Sequence, residues 1–327
     1  DPTGSVSPWS AAGAAHGGQS RATGAEVGDG RVDRMRQLRE GRLDSFDGTT
    51  LGYQVHGTAG PWLVICNGLG SSYDSWEPLV ERLAPQRRVL IWDYRGLYGS
   101  AAPRDPRRLT VGDHARDLEQ LLAHEGIAEL TLGGWSMGVQ LALEGYRRLP
   151  AKVRALVLIN GTYGRFFSAV LPVPGARRLV LPALRAARLV SPLVGRAVRR
   201  GVNAPGFAST MHRLGLVAVD SPRIARAARG FGELDWDRYL AMAAAMQDHD
   251  ATPVLRHVRV PTLVVGGGRD LLAPPPVIDT LAREIPRAEL FQVPRGTHYT
   301  LLEFPELVVA QVADFLGRHV PVSSEPA

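Results

Sequence analysis

The sequence predicts an α/β fold in which helices flank a mostly parallel sheet and an all-helical segment is inserted between two of the strands. Three observations support this fold class. From residue 40 onward, short β-branched runs alternate with helical stretches, as in parallel sheets that are covered on both faces. Between residues 162 and 249 the alternation stops, and Ala, Leu, Arg and Pro dominate. Strand and helix patterns then alternate again as far as residue 320.

The elements begin with a hairpin, whose strands at 42–46 and 49–55 flank the turn residues Asp47 and Gly48. Most of the later strands are short and apolar, which is typical of strands buried on both faces. They are predicted at 62–66, 88–92, 130–133, 155–159, 262–266 and 288–293. Helices are predicted at 75–83, 111–124, 137–148, 273–284 and 307–316.

The domain organisation follows from where these patterns occur. Residues 1–34 are rich in Gly, Ala and Ser without apolar periodicity, so we expect a disordered tail. Residues 35–161 and 250–320 are predicted to form the core of the fold. Residues 162–249 are predicted to form a helical cap over the carboxyl edge of the sheet, where ligands bind in open α/β sheets. Residues 321–327 are a second tail.

The charge of the chain is basic, with a net charge of +6 that comes mostly from arginine. No Asp or Glu occurs between Gly145 and Val219, so the cap is basic over most of its length. No zinc-finger or RNA-binding signature accompanies this charge, and we predict no nucleic-acid partner. A contact with an anionic substrate, a contact with a membrane surface, and a plainly solvated face all remain open for the basic cap.

The cellular location is predicted from the cysteine content and from apolar runs. The single cysteine, Cys66, excludes an internal disulfide framework and fits a reducing compartment. No apolar run of about 18 residues occurs, and the start lacks the basic and apolar regions of a secretory signal. We therefore expect a cytoplasmic protein. Cys66 ends an apolar run, which indicates a buried thiol and not a nucleophile.

A nucleophile motif occurs at Gly134-Trp135-Ser136-Met137-Gly138. It follows an apolar strand and opens a helix, which is the setting of a nucleophile elbow. Gly is expected at positions 134 and 138 because a Cβ there would clash with the neighbouring strand and helix. The motif therefore predicts Ser136 as the nucleophile of a serine hydrolase.

A serine hydroxyl is a poor nucleophile at neutral pH, so a base must accept its proton. His298 is predicted for this role because it lies just after the last strand, in a turn before the closing helix. An acid must then orient the histidine, and Asp270 lies just past the carboxyl end of a predicted strand. The alternative position, after the preceding strand, holds Asn160, which is not an acid.

Two further carboxyl groups, Asp248 and Asp250, flank a histidine near the end of the cap and are interpreted as solvated charges. Acyl transfer also requires donors for the oxyanion that develops on the carbonyl group. The first predicted donor is the backbone N–H of Met137, which follows the nucleophile. The second is the N–H of Leu69, in the loop that opens with Asn67-Gly68. Small residues in this loop allow its backbone to approach a ligand closely.

From about residue 43 to residue 320 the chain resembles the capped, esterase-like group of α/β-hydrolases. That group includes lipases, C–C bond hydrolases and cofactor-free haloperoxidases. The order Ser136, Asp270, His298 matches the order of the catalytic triad in this fold. The remaining matching motifs are the Asn67-Gly68 loop, Asp93-Tyr94-Arg95-Gly96 with Gly99-Ser100, Gly268-Arg269-Asp270 and Gly296-Thr297-His298. The resemblance implies a catalytic triad and no cofactor, and no metal site is predicted.

The chain departs from this resemblance at two positions. The family usually has His-Gly where this chain has Asn67-Gly68, and we expect Asn67 to hydrogen-bond the loop backbone instead. An Asn-Gly pair here is similar to that of intracellular depolymerases of medium-chain polyhydroxyalkanoates. Tyr98 replaces a usual glycine, so we expect a loop of different shape. Ser136 distinguishes the chain from haloalkane dehalogenases and epoxide hydrolases, whose nucleophile is Asp.

The leading hypothesis is a serine esterase that cleaves small-molecule carboxylic esters through an acyl-enzyme intermediate. The arginine-rich cap keeps open a thioesterase or acyltransferase that uses acyl-CoA or a carrier protein, because guanidinium groups pair with phosphate. A polyester depolymerase and a non-catalytic receptor of the same fold also remain open. Apolar cap residues are predicted either to shape an acyl pocket or to form the cap core: Phe166, Phe167, Leu171, Val173, Leu179 and Val180.

Overall fold

The structure of the protein is a computed structural model that describes residues 38–166 and 176–322. The predicted tail at 1–34 and residues 323–327 of the second tail therefore lie outside the described residues. The same holds for three of the apolar cap positions, Phe167, Leu171 and Val173.

The predicted α/β fold is confirmed by one sheet of eight strands in the described part of the chain. The strands are β1 Leu38–Asp44, β2 Thr50–His56, β3 Trp62–Cys66, β4 Arg88–Trp92, β5 Leu130–Trp135, β6 Val153–Ile159, β7 Thr262–Gly267 and β8 Ala288–Val293. Their order in the sheet is β1-β2-β4-β3-β5-β6-β7-β8. The β1–β2 and β2–β4 pairs are antiparallel, and every later pair is parallel.

The hairpin at the start extends further toward the amino end than the sequence predicts. Its first strand begins at Leu38, which pairs with His56, and ends at Asp44. The chain turns between Ser45 and Thr49, with Ser45 N–H donating to the Thr49 carbonyl at 2.9 Å. Gly48 takes a φ of 79° in this turn, a left-handed conformation that favours glycine.

Helices cover the sheet on both faces. The described helices outside the cap are α1 Glu77–Leu83, α2 Val111–His124, α3 Met137–Arg148, α9 Thr252–Leu255, α10 Pro275–Glu284, α11 Thr300–Glu303 and α12 Pro305–His319. Consecutive residues of β3 show how the sheet serves two cores. Leu63 and Ile65 pack with α1 and α12, whereas Val64 packs on the opposite face with α2 and α3. This two-sided burial explains why β3 is apolar at every position.

Between β6 and β7 the described residues form the helices α4 Ala176–Leu189, α5 Ser191–Val202, α6 Phe207–Arg213, α7 Pro222–Gly232 and α8 Trp236–Asp248. We use the word cap for these helices, and their division from the core as a domain remains a prediction. Polar contacts join them to the core: Glu303 accepts the Ala218 N–H at 2.7 Å, and Arg226 pairs with Glu77 at 2.8 Å. No described helix combines the length and apolar character needed to cross a bilayer.

A buried cationic side chain ties the hairpin to the sheet and to α2. Arg95 is fully buried in the loop after β4 and donates from Nε to Asp117 at 2.7 Å. Its Nη1 donates to Asp47 in the hairpin turn at 2.8 Å. Asp117 also accepts the Ser45 hydroxyl at 2.5 Å. One guanidinium therefore holds three separate segments together.

Replacing Arg95 with Met removes the guanidinium and leaves Asp117 buried without its partner. Because an unpaired buried charge is strongly unfavourable, we expect the free energy of unfolding to fall by about 3 kcal/mol or more in urea titrations. As a control, Arg107→Met removes an exposed ion pair with Asp105 and should leave the unfolding curve unchanged. Equal losses in the two variants would contradict a structural role for the buried pair.

The same ion pair also makes the stability sensitive to acid. Burial raises the pKa of Asp117, but the hydrogen bonds and the charge of the Arg95 guanidinium lower it by more, so the pKa lies below its ordinary value. The resulting stabilisation is present above the pKa of the unfolded chain and is lost as the pH falls through the folded pKa. We therefore expect the unfolding free energy to fall more steeply with acid in the wild type than in Arg95→Met. Parallel profiles would contradict this assignment.

Candidate active site

Ser136 lies in the turn between strand β5 and helix α3, with φ 57° and ψ −118°. A left-handed φ is unfavourable for a residue with a side chain and persists only where the surroundings impose it. Its N–H donates to the Ile159 carbonyl at 3.0 Å. A Cβ on Gly134 would lie 2.3 Å from the Gly138 carbonyl oxygen, and one on Gly138 would lie 2.0 Å from that of Cys66. The two glycines are therefore needed to bring the strand and helix so close.

The side chains of Ser136, His298 and Asp270 form one hydrogen-bonded chain. His298 Nε2 lies 2.9 Å from Ser136 Oγ, and His298 Nδ1 lies 3.0 Å from Asp270 Oδ2. The three residues follow the carboxyl ends of β5, β8 and β7, which meet at one edge of the sheet. The structure thus brings together three residues that lie far apart in the sequence. Chemically, this places a proton acceptor beside a serine hydroxyl and a carboxylate behind that acceptor.

The Asp270 carboxylate is buried and well supplied with donors. Its Oδ1 accepts the backbone N–H groups of Leu272 at 2.7 Å and Ala273 at 2.8 Å. Burial raises the pKa of Asp270, but its interactions with His298 and with the N–H of Ala273 lower it by more. The pKa therefore lies below its ordinary value, and the carboxylate beside the imidazole stays ionised at neutral pH.

The sequence predicts only that Asn160 is not the acid, but the structure places its side chain against the Asp270 carboxylate. Its Nδ2 donates to Asp270 Oδ2 at 2.9 Å and to the Thr297 carbonyl at 3.1 Å. Asn160 follows strand β6 directly and has a φ of 43°. Its position at the end of a strand beside the predicted acid was the available signal.

The loop after β3 is fixed by the side chain of Asn67, which bonds to the scaffold and not to the loop itself. Its Nδ2 donates to the Trp92 carbonyl at 2.8 Å, and its Oδ1 accepts Trp76 Nε1 at 2.6 Å. We expected bonds within the loop, so this detail of the prediction is wrong. Gly68 follows, and a Cβ built there would lie 3.5 Å from the Cβ of Ser136. The loop backbone therefore runs beside the serine.

The two predicted oxyanion donors lie on the elements that flank Ser136. Met137 is the first residue of α3, so its N–H has no partner within the helix. Leu69 is half-buried in the turn that Ser71 N–H closes onto the Gly68 carbonyl at 3.0 Å. Backbone N–H groups in such places can stabilise an anion.

Tyr98 contacts this loop from the far side, which the sequence could not show. Its hydroxyl donates to the Gly70 carbonyl at 2.6 Å, and its φ of 46° is left-handed. A Cβ on Gly230, in cap helix α7, would lie 3.1 Å from that hydroxyl. The Tyr98 side chain therefore contacts both the loop after β3 and cap helix α7.

A pocket of about 350 Å³ opens beside His298 and Trp135. Its lining does not include Ser136. Cap residues form one wall and core loops the other, and the lining is mostly apolar: Val198, Val202, Phe207, Met211, Ile224, Phe231, Leu271, Leu272 and Leu302. Arg269 lies at the same pocket and is exposed. Leu179, which was expected either to shape the pocket or to pack in the cap core, is instead 77% exposed, because it lies on the outward side of its helix.

Side chains outside this hydrogen-bonded chain offer little competing chemistry. Cys66 is buried, and burial raises the pKa of its thiol, so a thiolate there is disfavoured. Within residues 38–166 and 176–322, no group of three or more His, Cys, Asp or Glu side chains is placed to hold a metal ion. Asp250 accepts the Thr252 N–H at 2.9 Å and lies near Arg165.

The elbow, the hydrogen-bonded chain and the sheet order define a hydrolase fold, and comparison with known proteins agrees. The model of the α/β-hydrolase fold family matches residues 61–305, so the chain belongs to that family. A relative from Azorhizobium caulinodans, named as the putative carbamate hydrolase RutD, is 24% identical over 282 residues. That match covers 81% of this chain and 94% of the relative.

Solved structures show the same architecture. A thermophilic esterase from Thermogutta terrifontis superposes with a TM-score of 0.69 at 23% identity, covering 86% of this chain and 100% of that one. The enol-lactonase from Burkholderia xenovorans superposes with a TM-score of 0.68 at 25% identity. That match covers 84% of this chain and 99% of the lactonase.

Tyr98→Phe removes one hydroxyl and frees the Gly70 carbonyl. Because the hydrogen bond holds the loop beside Ser136, we expect kcat of this hydrolase to fall about tenfold while KM changes little. Steady-state kinetics measures kcat and KM, and thermal unfolding shows whether the variant is still folded. Tyr53→Phe removes a comparable hydroxyl bond, which joins strand β2 of the hairpin to Glu125 at the end of α2, and should leave kcat unchanged. An unchanged kcat in Tyr98→Phe would remove this role.

Proposed function

We propose that the protein is a serine esterase that hydrolyses carboxylic esters through an acyl-enzyme intermediate. The observation that supports this most is the continuous chain from Ser136 Oγ through His298 to Asp270, with separations of 2.9 and 3.0 Å. Ser136 is the proposed nucleophile, His298 the base and then the acid, and Asp270 the group that orients the imidazole.

The proposed reaction has two halves. In the first, Ser136 Oγ attacks the acyl carbon and gives its proton to His298 Nε2. The N–H groups of Met137 and Leu69 stabilise the oxyanion, and the leaving alcohol takes the proton from His298 as the C–O bond breaks. In the second, water attacks the acyl-enzyme, again giving a proton to His298, and Ser136 recovers it as the acid departs. Asp270 stays ionised throughout.

The apolar pocket beside His298 supports an ester with an apolar group. Its size of about 350 Å³ lies within the range of small-molecule sites, and its lining offers few polar partners. The names of two matched proteins, a putative carbamate hydrolase and an enol-lactonase, also agree with a hydrolytic activity. The single cysteine fits a cytoplasmic location, which is part of the proposal.

A thioesterase acting on acyl-CoA or a carrier protein is the second candidate, and Arg269 favours it. Arg269 lines the pocket and forms no side-chain hydrogen bond or ion pair with another described residue. Its guanidinium is therefore available to an anionic part of a substrate. A polyester depolymerase gains less support, because the bonds of Asn67 to Trp92 and Trp76 explain that residue structurally.

Ser136→Ala tests the proposed nucleophile. We expect kcat on p-nitrophenyl butyrate to fall by about 10³-fold or more, because the variant lacks the attacking oxygen. Ser209→Ala is the matched control, since this cap serine hydrogen-bonds Asp220 and does not line the pocket. Full activity in Ser136→Ala, with circular dichroism showing a folded protein, would reject the mechanism.

Steady-state comparison of a p-nitrophenyl ester with the acyl-CoA of the same chain length separates the two candidates. The esterase proposal predicts the larger kcat/KM for the ester. It also predicts that Arg269→Gln leaves the KM for the neutral ester unchanged. A much larger kcat/KM for the thioester, with a KM for acyl-CoA that rises about tenfold in Arg269→Gln, would instead establish the thioesterase.

A further inference from the structure

The outward side of the first two described cap helices is apolar and basic, which is unusual for a surface in water. Leu179 and Leu189 of α4 are 77% and 86% exposed, and Leu193 of α5 is 57% exposed. Val190, between the two helices, is also exposed. With four exposed arginines they form what we call the outer cap face: Leu179, Leu189, Val190, Leu193, Arg178, Arg185, Arg196 and Arg200.

Helix α4 has apolar residues on both of its sides. The inward side carries Val180 and Leu184, which are half-buried, and Arg188, which pairs with Asp237 of α8 at 2.8 Å. The opposite side repeats apolar residues at helical spacing and is exposed: Leu179, Pro182, Ala183, Ala186 and Leu189. The inward packing fixes the rotation of the helix, so the outward leucines have no place in the core of the cap.

The arginines of the outer cap face differ from two other cap arginines, which form ion pairs. Arg188 pairs with Asp237 of α8, and Arg199 pairs with Glu233, which directly follows α7. Arg185 and Arg196, like the two remaining arginines of the outer cap face, form no ion pair with any described residue. No acidic residue occurs between 145 and 219, so the segment that forms this face contributes no negative charge to neutralise its arginines.

The combination of leucine and unpaired arginine determines which partner fits this face. A second copy of the chain would bring two arginine-rich surfaces together, which like-charge repulsion disfavours. An anionic lipid surface offers both complements, because its acyl region accepts leucine side chains and its phosphates pair with guanidinium groups. We propose that the outer cap face docks the protein on an anionic lipid surface.

Helix α5 links this face to the pocket. Its outward side contributes Leu193 and Arg196, while Val198 and Val202 on its inner side line the pocket beside His298. One helix diameter, about 10 Å, therefore separates the lipid surface from the pocket wall. The docking proposal does not depend on the reaction that Ser136 performs.

Co-sedimentation of the full chain with vesicles tests the proposal. Vesicles of phosphatidylcholine alone are compared with vesicles that also contain phosphatidylglycerol. We expect binding to the anionic vesicles only, and weaker binding as salt is raised. The double variants Leu179→Ser/Leu189→Ser and Arg185→Gln/Arg196→Gln should each weaken binding by about tenfold or more.

Controls come from exposed residues elsewhere. Leu307→Ser, on α12, removes a leucine that is 53% exposed, and Arg82→Gln removes an exposed arginine of α1; neither should change vesicle binding. Hydrolysis of a soluble ester should be the same in all these variants, which keeps failure of docking separate from failure of catalysis. Equal binding to neutral and anionic vesicles would overturn the proposal. A dimer in sedimentation equilibrium that the double leucine variant abolishes would do so as well.

Discussion

The close approach of strand β5, helix α3 and the end of strand β3 at Ser136 is the constraint on which the site depends. No Cβ fits at Gly134 or Gly138, where the nearest carbonyl oxygens lie 2.3 and 2.0 Å from its position. Because the backbone segments pack so closely there, Ser136 is flanked by the first N–H of α3 and by the loop at Gly68. Packing of the main chain thus places the serine that we propose as nucleophile beside the backbone N–H groups that we propose as oxyanion donors.

The same strand also holds the histidine loop in place. Trp135 Nε1 donates to the His298 carbonyl at 3.0 Å, so the residue before the serine binds the backbone of its partner. Asn160 bonds to the carboxylate of Asp270 and to the Thr297 carbonyl, which joins the ends of β6, β7 and β8. Hydrogen bonds between neighbouring loops therefore fix the distances along the chain from serine to carboxylate.

Residue patterns along the chain predicted the helices and strands well. They could not predict contacts between residues that are distant in the sequence. Strand Arg88–Trp92 and helix Val111–His124 match their predicted bounds, and in the structure a capping box at Thr110 starts the helix. The hydroxyl of Tyr98 reaches Gly70 only once the sheet is assembled. Leu179 shows the same limit, since periodicity cannot tell which of two apolar sides of a helix faces the core.

Covalent labelling with a fluorophosphonate tests the assignment of the nucleophile most directly, because only an activated serine reacts rapidly with it. We predict one adduct per chain, mapped by peptide mass spectrometry to Ser136. Labelling should be lost in Ser136→Ala and strongly slowed in His298→Gln. A wild-type protein that does not label, or one whose adduct survives in Ser136→Ala, would contradict the assignment of Ser136 as the nucleophile.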